Sequence, residues 1–81
     1  MNQKVKVAIG LGSNIGDRLK FLTEALSRLR EDALEESQTS KMYETAPWGL
    51  CEQPDFLNCV IVGLSEWKPP SLLNYLKTLE R

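Results

Sequence analysis

Three clusters in this sequence have the residue types and spacing to do chemistry. The first is Gly10-Leu11-Gly12-Ser13-Asn14-Ile15-Gly16. Glycine-rich turns of this kind can converge backbone N–H groups on a phosphate. No Gly-Lys-Ser/Thr follows, so it is not a Walker loop, and its third glycine comes one residue late for a dinucleotide fingerprint. On spacing alone it reads as a tight strand-to-helix turn that needs glycine dihedrals. The second cluster is Tyr43-Glu44-Thr45-Ala46-Pro47-Trp48-Gly49. A tryptophan in a proline- and glycine-punctuated loop seeks either cover or a ligand, and composition does not choose between them. The third is Pro54-Asp55-Phe56-Leu57-Asn58. On a strand, Phe56 and Asn58 project from the same face. An aromatic ring beside a carboxamide can hold a flat heterocycle, the ring stacking while the amide offers one donor and one acceptor. The same pair also fits a core phenylalanine with a strand-end asparagine bonded to backbone.

These clusters need elements to position them. Residues 4–11 alternate, with Val5, Val7, Ile9 and Leu11 on one face, as a half-buried strand does. Gly12 to Gly16 then turn the chain. A helix is expected from Asp17 to Glu31, with Leu19, Leu22, Leu26 and Leu29 forming its apolar stripe and Asn14 or Asp17 capping its start. Residues 36–45 are mostly polar and read as an edge strand, followed by a loop from Ala46 to Pro54. Phe56 to Leu64 is the strongest strand. It is apolar on both faces, so each face calls for cover. Pro69-Pro70-Ser71 opens a second helix carrying Leu72, Leu73, Leu76 and Leu79. The order strand, helix, strand, strand, helix predicts an α+β chain with an antiparallel sheet. It is a ferredoxin-like βαββα(β) arrangement whose final strand is absent from these residues.

Length and charge narrow the options. The 81 residues make one small domain, residues 1–81. A chain this short buries about 60% of its unfolded surface, and its total stability is roughly 4–12 kcal/mol. The net charge of −1 gives no basic excess for a phosphate backbone, so no nucleic-acid partner is expected. No apolar run is long enough for a membrane span or a signal region, which predicts a cytoplasmic protein. Cys51 and Cys59 then read as free thiols. With no histidine, no CxxC and no paired aspartates, no metal site is expected.

Taken together, the segments Val7–Arg18, Tyr43–Gly49 and Gln53–Asn58 resemble, in order and spacing, the first half of the hydroxymethyl-dihydropterin pyrophosphokinases of folate biosynthesis. The resemblance implies that this is the N-terminal, pterin-binding portion of such an enzyme. It implies pterin-edge hydrogen bonds from Asn58 and Thr45, a backbone contribution at Trp48, and ring stacking on Phe56, where the family commonly has tyrosine. It also implies that Gly12 lines the cleft, that Ala46 and Pro47 contact the pterin from a mobile loop, Ala46 to Pro54, that closes over bound substrates, and that Glu80 lies near the nucleotide.

The implied reaction moves a pyrophosphoryl group from ATP, with magnesium, to the pterin hydroxymethyl group. The family's Asp-x-Asp metal pair, its arginines and histidine, and the second aromatic of the pterin sandwich belong to the family's second half, and here Asp17, Asp32 and Asp55 are not paired at that spacing. The expectation is therefore a chain that holds no catalytic residue, is inactive alone and carries no bound cofactor. It would associate as a homodimer or higher assembly, covering the open first strand and the face of Val60, Val62 and Leu64. The alternative is a small ferredoxin-like ligand-binding or regulatory module that dimerises through its sheet edge.

Overall fold

A computed structural model describes residues 3–47 and 53–67 together with Ser71, Tyr75 and Leu76. Strand β1 (Val5–Ser13) leads into helix α1 (Arg18–Asp32), followed by β2 (Glu35–Thr39), β3 (Tyr43–Thr45) and β4 (Phe56–Ser65). The apolar β4 takes the centre of an antiparallel sheet. β1 pairs along one side of it, and β2 and β3 share the other. This is the expected α+β, ferredoxin-like order. Ser71, Tyr75 and Leu76 have helical backbone, within the expected second helix.

Helix α1 covers one face of the sheet. Leu22, Leu26 and Leu29 close over Ile9, Cys59 and Ile61, and Trp67, Tyr75 and Leu76 pack onto the same cluster. Leu22 and Leu29 are fully excluded from solvent. Each side chain so buried contributes about 1.5–3 kcal/mol, a large share for a small domain. Leu19 departs from the expected stripe and is 56% exposed. At 100° per residue, Leu22 and Leu29 lie within about 20° of each other, and Leu19 is roughly 60–80° further round. Ala25, on the opposite flank of the stripe, is buried as well.

Two strand boundaries also differ from expectation. β1 continues through Gly12 and Ser13 because β4 supplies partners that far, Asn58 and Leu57. The single strand expected over 36–45 is broken between Thr39 and Tyr43. Ser40 spans the break: its N–H donates to the Val60 carbonyl at 2.8 Å, and its hydroxyl accepts from the Val60 N–H at 2.8 Å. Further back, a bulge between Glu35 and Gln38 puts Glu36 in the left-handed region at φ 51°.

The second face carries Ala8, Gly10 and Gly12, all exposed, and Phe56, Asn58, Val60, Val62 and Leu64, all half-buried. β1 lies at the edge of the sheet, its outer side unpaired among the described residues. Cys59 is a free, buried thiol, and burial raises its pKa and keeps it unreactive. Among the described residues no helix is long and apolar enough to cross a membrane.

Candidate functional site

The three sequence clusters meet at one end of this sheet. Gly12 of β1, Asn58 of β4 and Tyr43 of β3 form a row across three strands, and Thr45 stands opposite Phe56 in the next row. Directly opposed residues, and residues two apart, share a face, so all five side-chain positions lie on the side away from α1. The half-buried carboxamide of Asn58 donates through Nδ2 to the Thr45 hydroxyl at 2.9 Å, with longer contacts of 3.4 Å to the carbonyls of Tyr43 and Phe56.

That bonding fixes how the amide is presented. With Nδ2 turned to β3, Oδ1 faces β1, where a Cβ on Gly12 would lie 2.7 Å from it. Gly12 therefore makes room for the amide itself. A side chain there would meet Asn58 before it met any ligand. The Thr45 hydroxyl, accepting from Asn58, keeps its own proton to donate. The face thus offers an acceptor, a donor and the Phe56 ring within two rows of one sheet, a set that suits the edge and plane of an amino-substituted heterocycle.

Behind the site, the loop stems are tied to the start of α1. Asp17 caps the helix by accepting from the Lys20 N–H, and Gly16 before it takes φ 65°. Arg18 Nη1 donates to Glu44 Oε2 at 3.0 Å and to the Asp55 carbonyl at 2.7 Å. Asn14 Nδ2 reaches Gln53 Oε1 at 3.3 Å and the Pro54 carbonyl at 3.5 Å. Arg18 and Gln53 are thus ties to which residue-by-residue reading gives no separate role, and Asn14, expected as a candidate helix cap, serves as a tie instead. The one signal was a cation in the first turn of a helix, where the macrodipole disfavours it.

Of the remaining expected site residues, Ala46 is exposed and Pro47 is half-buried, both at the end of β3. Trp48 and Glu80, like Cys51, lie outside the described residues. A magnesium ion does not fit what is described. No three potential ligands converge among these residues, and the three aspartates are dispersed, at the α1 cap, at the end of α1 bonded to Tyr75, and before β4.

The sequence model of the family described as 7,8-dihydro-6-hydroxymethylpterin-pyrophosphokinase matches residues 8–81. The folate synthesis bifunctional protein of Arabidopsis thaliana is 41% identical over 76 residues, covering 94% of this chain and 16% of its own length. The 2-amino-4-hydroxy-6-hydroxymethyldihydropteridine pyrophosphokinase of Aquifex aeolicus (strain VF5) is 39% identical over 75 residues, or 93% of this chain. Its counterpart from Porphyromonas gingivalis is 40% identical over the same share. The chain spans 46% and 51% of the length of these last two.

Proposed function

The chain belongs to the 7,8-dihydro-6-hydroxymethylpterin-pyrophosphokinase family, and from that membership we propose that it forms the pterin-holding side of an enzyme of folate biosynthesis. That enzyme transfers a pyrophosphoryl group from ATP to the hydroxymethyl group of a dihydropterin. The observation that carries this reading is the Asn58–Thr45 bond of 2.9 Å, on the face shared with Phe56 and beside the space left by Gly12. Asn58 Oδ1 would accept from the pterin edge, the Thr45 hydroxyl would donate to it, and Phe56 would stack on the ring, with Ala46, Pro47 and Trp48 closing from the loop. Glu80 would lie toward the nucleotide.

These residues bind and orient. Magnesium, when bound to the whole enzyme, would neutralise charge on the ATP phosphates, and the described residues supply no site for it. The 81-residue chain alone, whose sequence has no Asp-x-Asp pair, is proposed to bind pterin weakly and to transfer nothing. Titration with 6-hydroxymethyl-dihydropterin, followed by fluorescence, should give saturable binding that Asn58→Ala weakens by roughly 1–3 kcal/mol. Equal affinity in the variant would remove the site from this face, and ATP-dependent transfer by the purified chain would contradict the proposed inactivity.

The reading extends to assembly and location. A second copy is proposed to cover the open side of β1 and the face of Val60, Val62 and Leu64. A cytoplasmic location is proposed as well. The Pisum sativum relative is named as mitochondrial, so fractionation of the source cells is the check.

A further inference from the structure

Given the pterin reading of this end of the sheet, we infer that Arg18 is a positioning residue, a brace that holds the last paired rungs of β3 and β4 against the start of α1. Its two partners sit on opposite stems. Glu44 is next to Thr45 on β3, and the Asp55 carbonyl is next to Phe56 at the start of β4. One guanidinium nitrogen holds both, at 3.0 Å and 2.7 Å.

Glu44 lies opposite Leu57, whose side chain packs into the core cluster under α1. The brace therefore works from behind the sheet and leaves the binding face clear. The Arg18 side chain is 30% exposed, less than Glu44 at 56%, as expected for a cation reaching inward over the strands. A cation in the first turn of a helix opposes the macrodipole, an effect that the Asp17 cap carboxylate offsets only in part. The bonds to β3 and β4 supply the reason for a basic residue there. Arginine suits the task because a single Nη carries two N–H donors in a rigid plane, one for the carboxylate and one for the carbonyl. Asn14 reinforces the same joint through Gln53 and the Pro54 carbonyl.

If Arg18 steadies this rim, removing it should loosen the Asn58–Thr45 bond without touching the ligand. Arg18→Met keeps the aliphatic stem, Glu44→Gln removes only the charge as a milder change, and Arg18→Lys restores the cation. Hydrogen exchange of the Asn58 side-chain amide, read by NMR on the 81-residue chain without ligand, should quicken several-fold in Arg18→Met and recover in part in Arg18→Lys. The pterin dissociation constant should rise roughly tenfold, which is about 1.4 kcal/mol. Gly63→Ala, a packing change distant from the site, should leave both readings as they are. Asn58 exchange in Arg18→Met at the unmodified rate overturns the brace, whether or not pterin binding is measurable. If Asn58→Ala does not weaken pterin binding, the pterin reading fails. If Asn58→Ala weakens it and Arg18→Met does not, the brace alone fails.

Discussion

At the residue scale, a methyl group on Gly12 would lie 2.7 Å from Asn58 Oδ1, well inside contact distance. The amide would have to swing, and its bond to Thr45 would be lost with it. Gly12→Ala is therefore expected to weaken pterin binding about as much as Asn58→Ala while shifting the stability of this exposed position by less than about 1 kcal/mol. Paired titration and melting curves check both halves, and unchanged binding would show that the amide is not the recognition group. Phe56 makes a different demand, because only its plane matters for stacking. Phe56→Tyr should hold affinity, and Phe56→Leu should lower it by about 1–3 kcal/mol in the same titration. Phe56 and Asn58 are legible in the sequence because the strand period of two puts them on one face. The function of Gly12 as space for a neighbouring amide is not, since it depends on the register Gly12↔Asn58, which only the folded sheet fixes.

At the element scale, the bulge in β2 sits over Gly63 of β4. A Cβ there would lie 3.1 Å from both the Glu35 carbonyl oxygen and Leu34 Cβ, and 3.3 Å from Ser37 Cβ. Gly63→Ala should cost about 1–3 kcal/mol by overpacking, measured by chemical denaturation. Glu36 adopts φ 51°, a conformation that costs a non-glycine residue roughly 1–2 kcal/mol. Glu36→Gly should therefore leave stability level or raise it, and a clear loss would mean that the carboxylate makes up for the strain. Helix α1 was legible to within a residue at each end, from its leucine spacing and the Asp17 cap. The bulge and the gap between β2 and β3 were not. A polar edge strand has no alternation strong enough to report where its pairing slips.

At the scale of the whole molecule, β4 joins everything else. It pairs with each of the other strands, and its Cys59 and Ile61 meet Leu22 and Leu29 of α1 in the core. Leu29→Ala should remove about 2–5 kcal/mol, enough to unfold much of so small a domain at body temperature. The Tyr75 hydroxyl donates to Asp32 at 2.8 Å, and burial, then that bond, raises the phenol pKa. The stability from this contact is complete below the ordinary phenol value near 10 and is lost as pH climbs through the raised one. Tyr75→Phe should flatten that alkaline loss in pH-dependent melting. Sedimentation should find the chain associated, and a monodisperse monomer at high concentration would dismiss the proposed second copy. The architecture was readable as an order of elements because each has its own apolar period. The joint among three distant segments was not, because polar ties leave no periodic trace. Ser40 carries a mechanical consequence for the completed sheet. Where a continuous strand would transmit displacement along its whole length, this edge is two short levers meeting at a serine fulcrum. A displacement of the rim at Tyr43–Thr45 would end at Ser40, and the half of the edge toward Glu35 would stay zipped to β4.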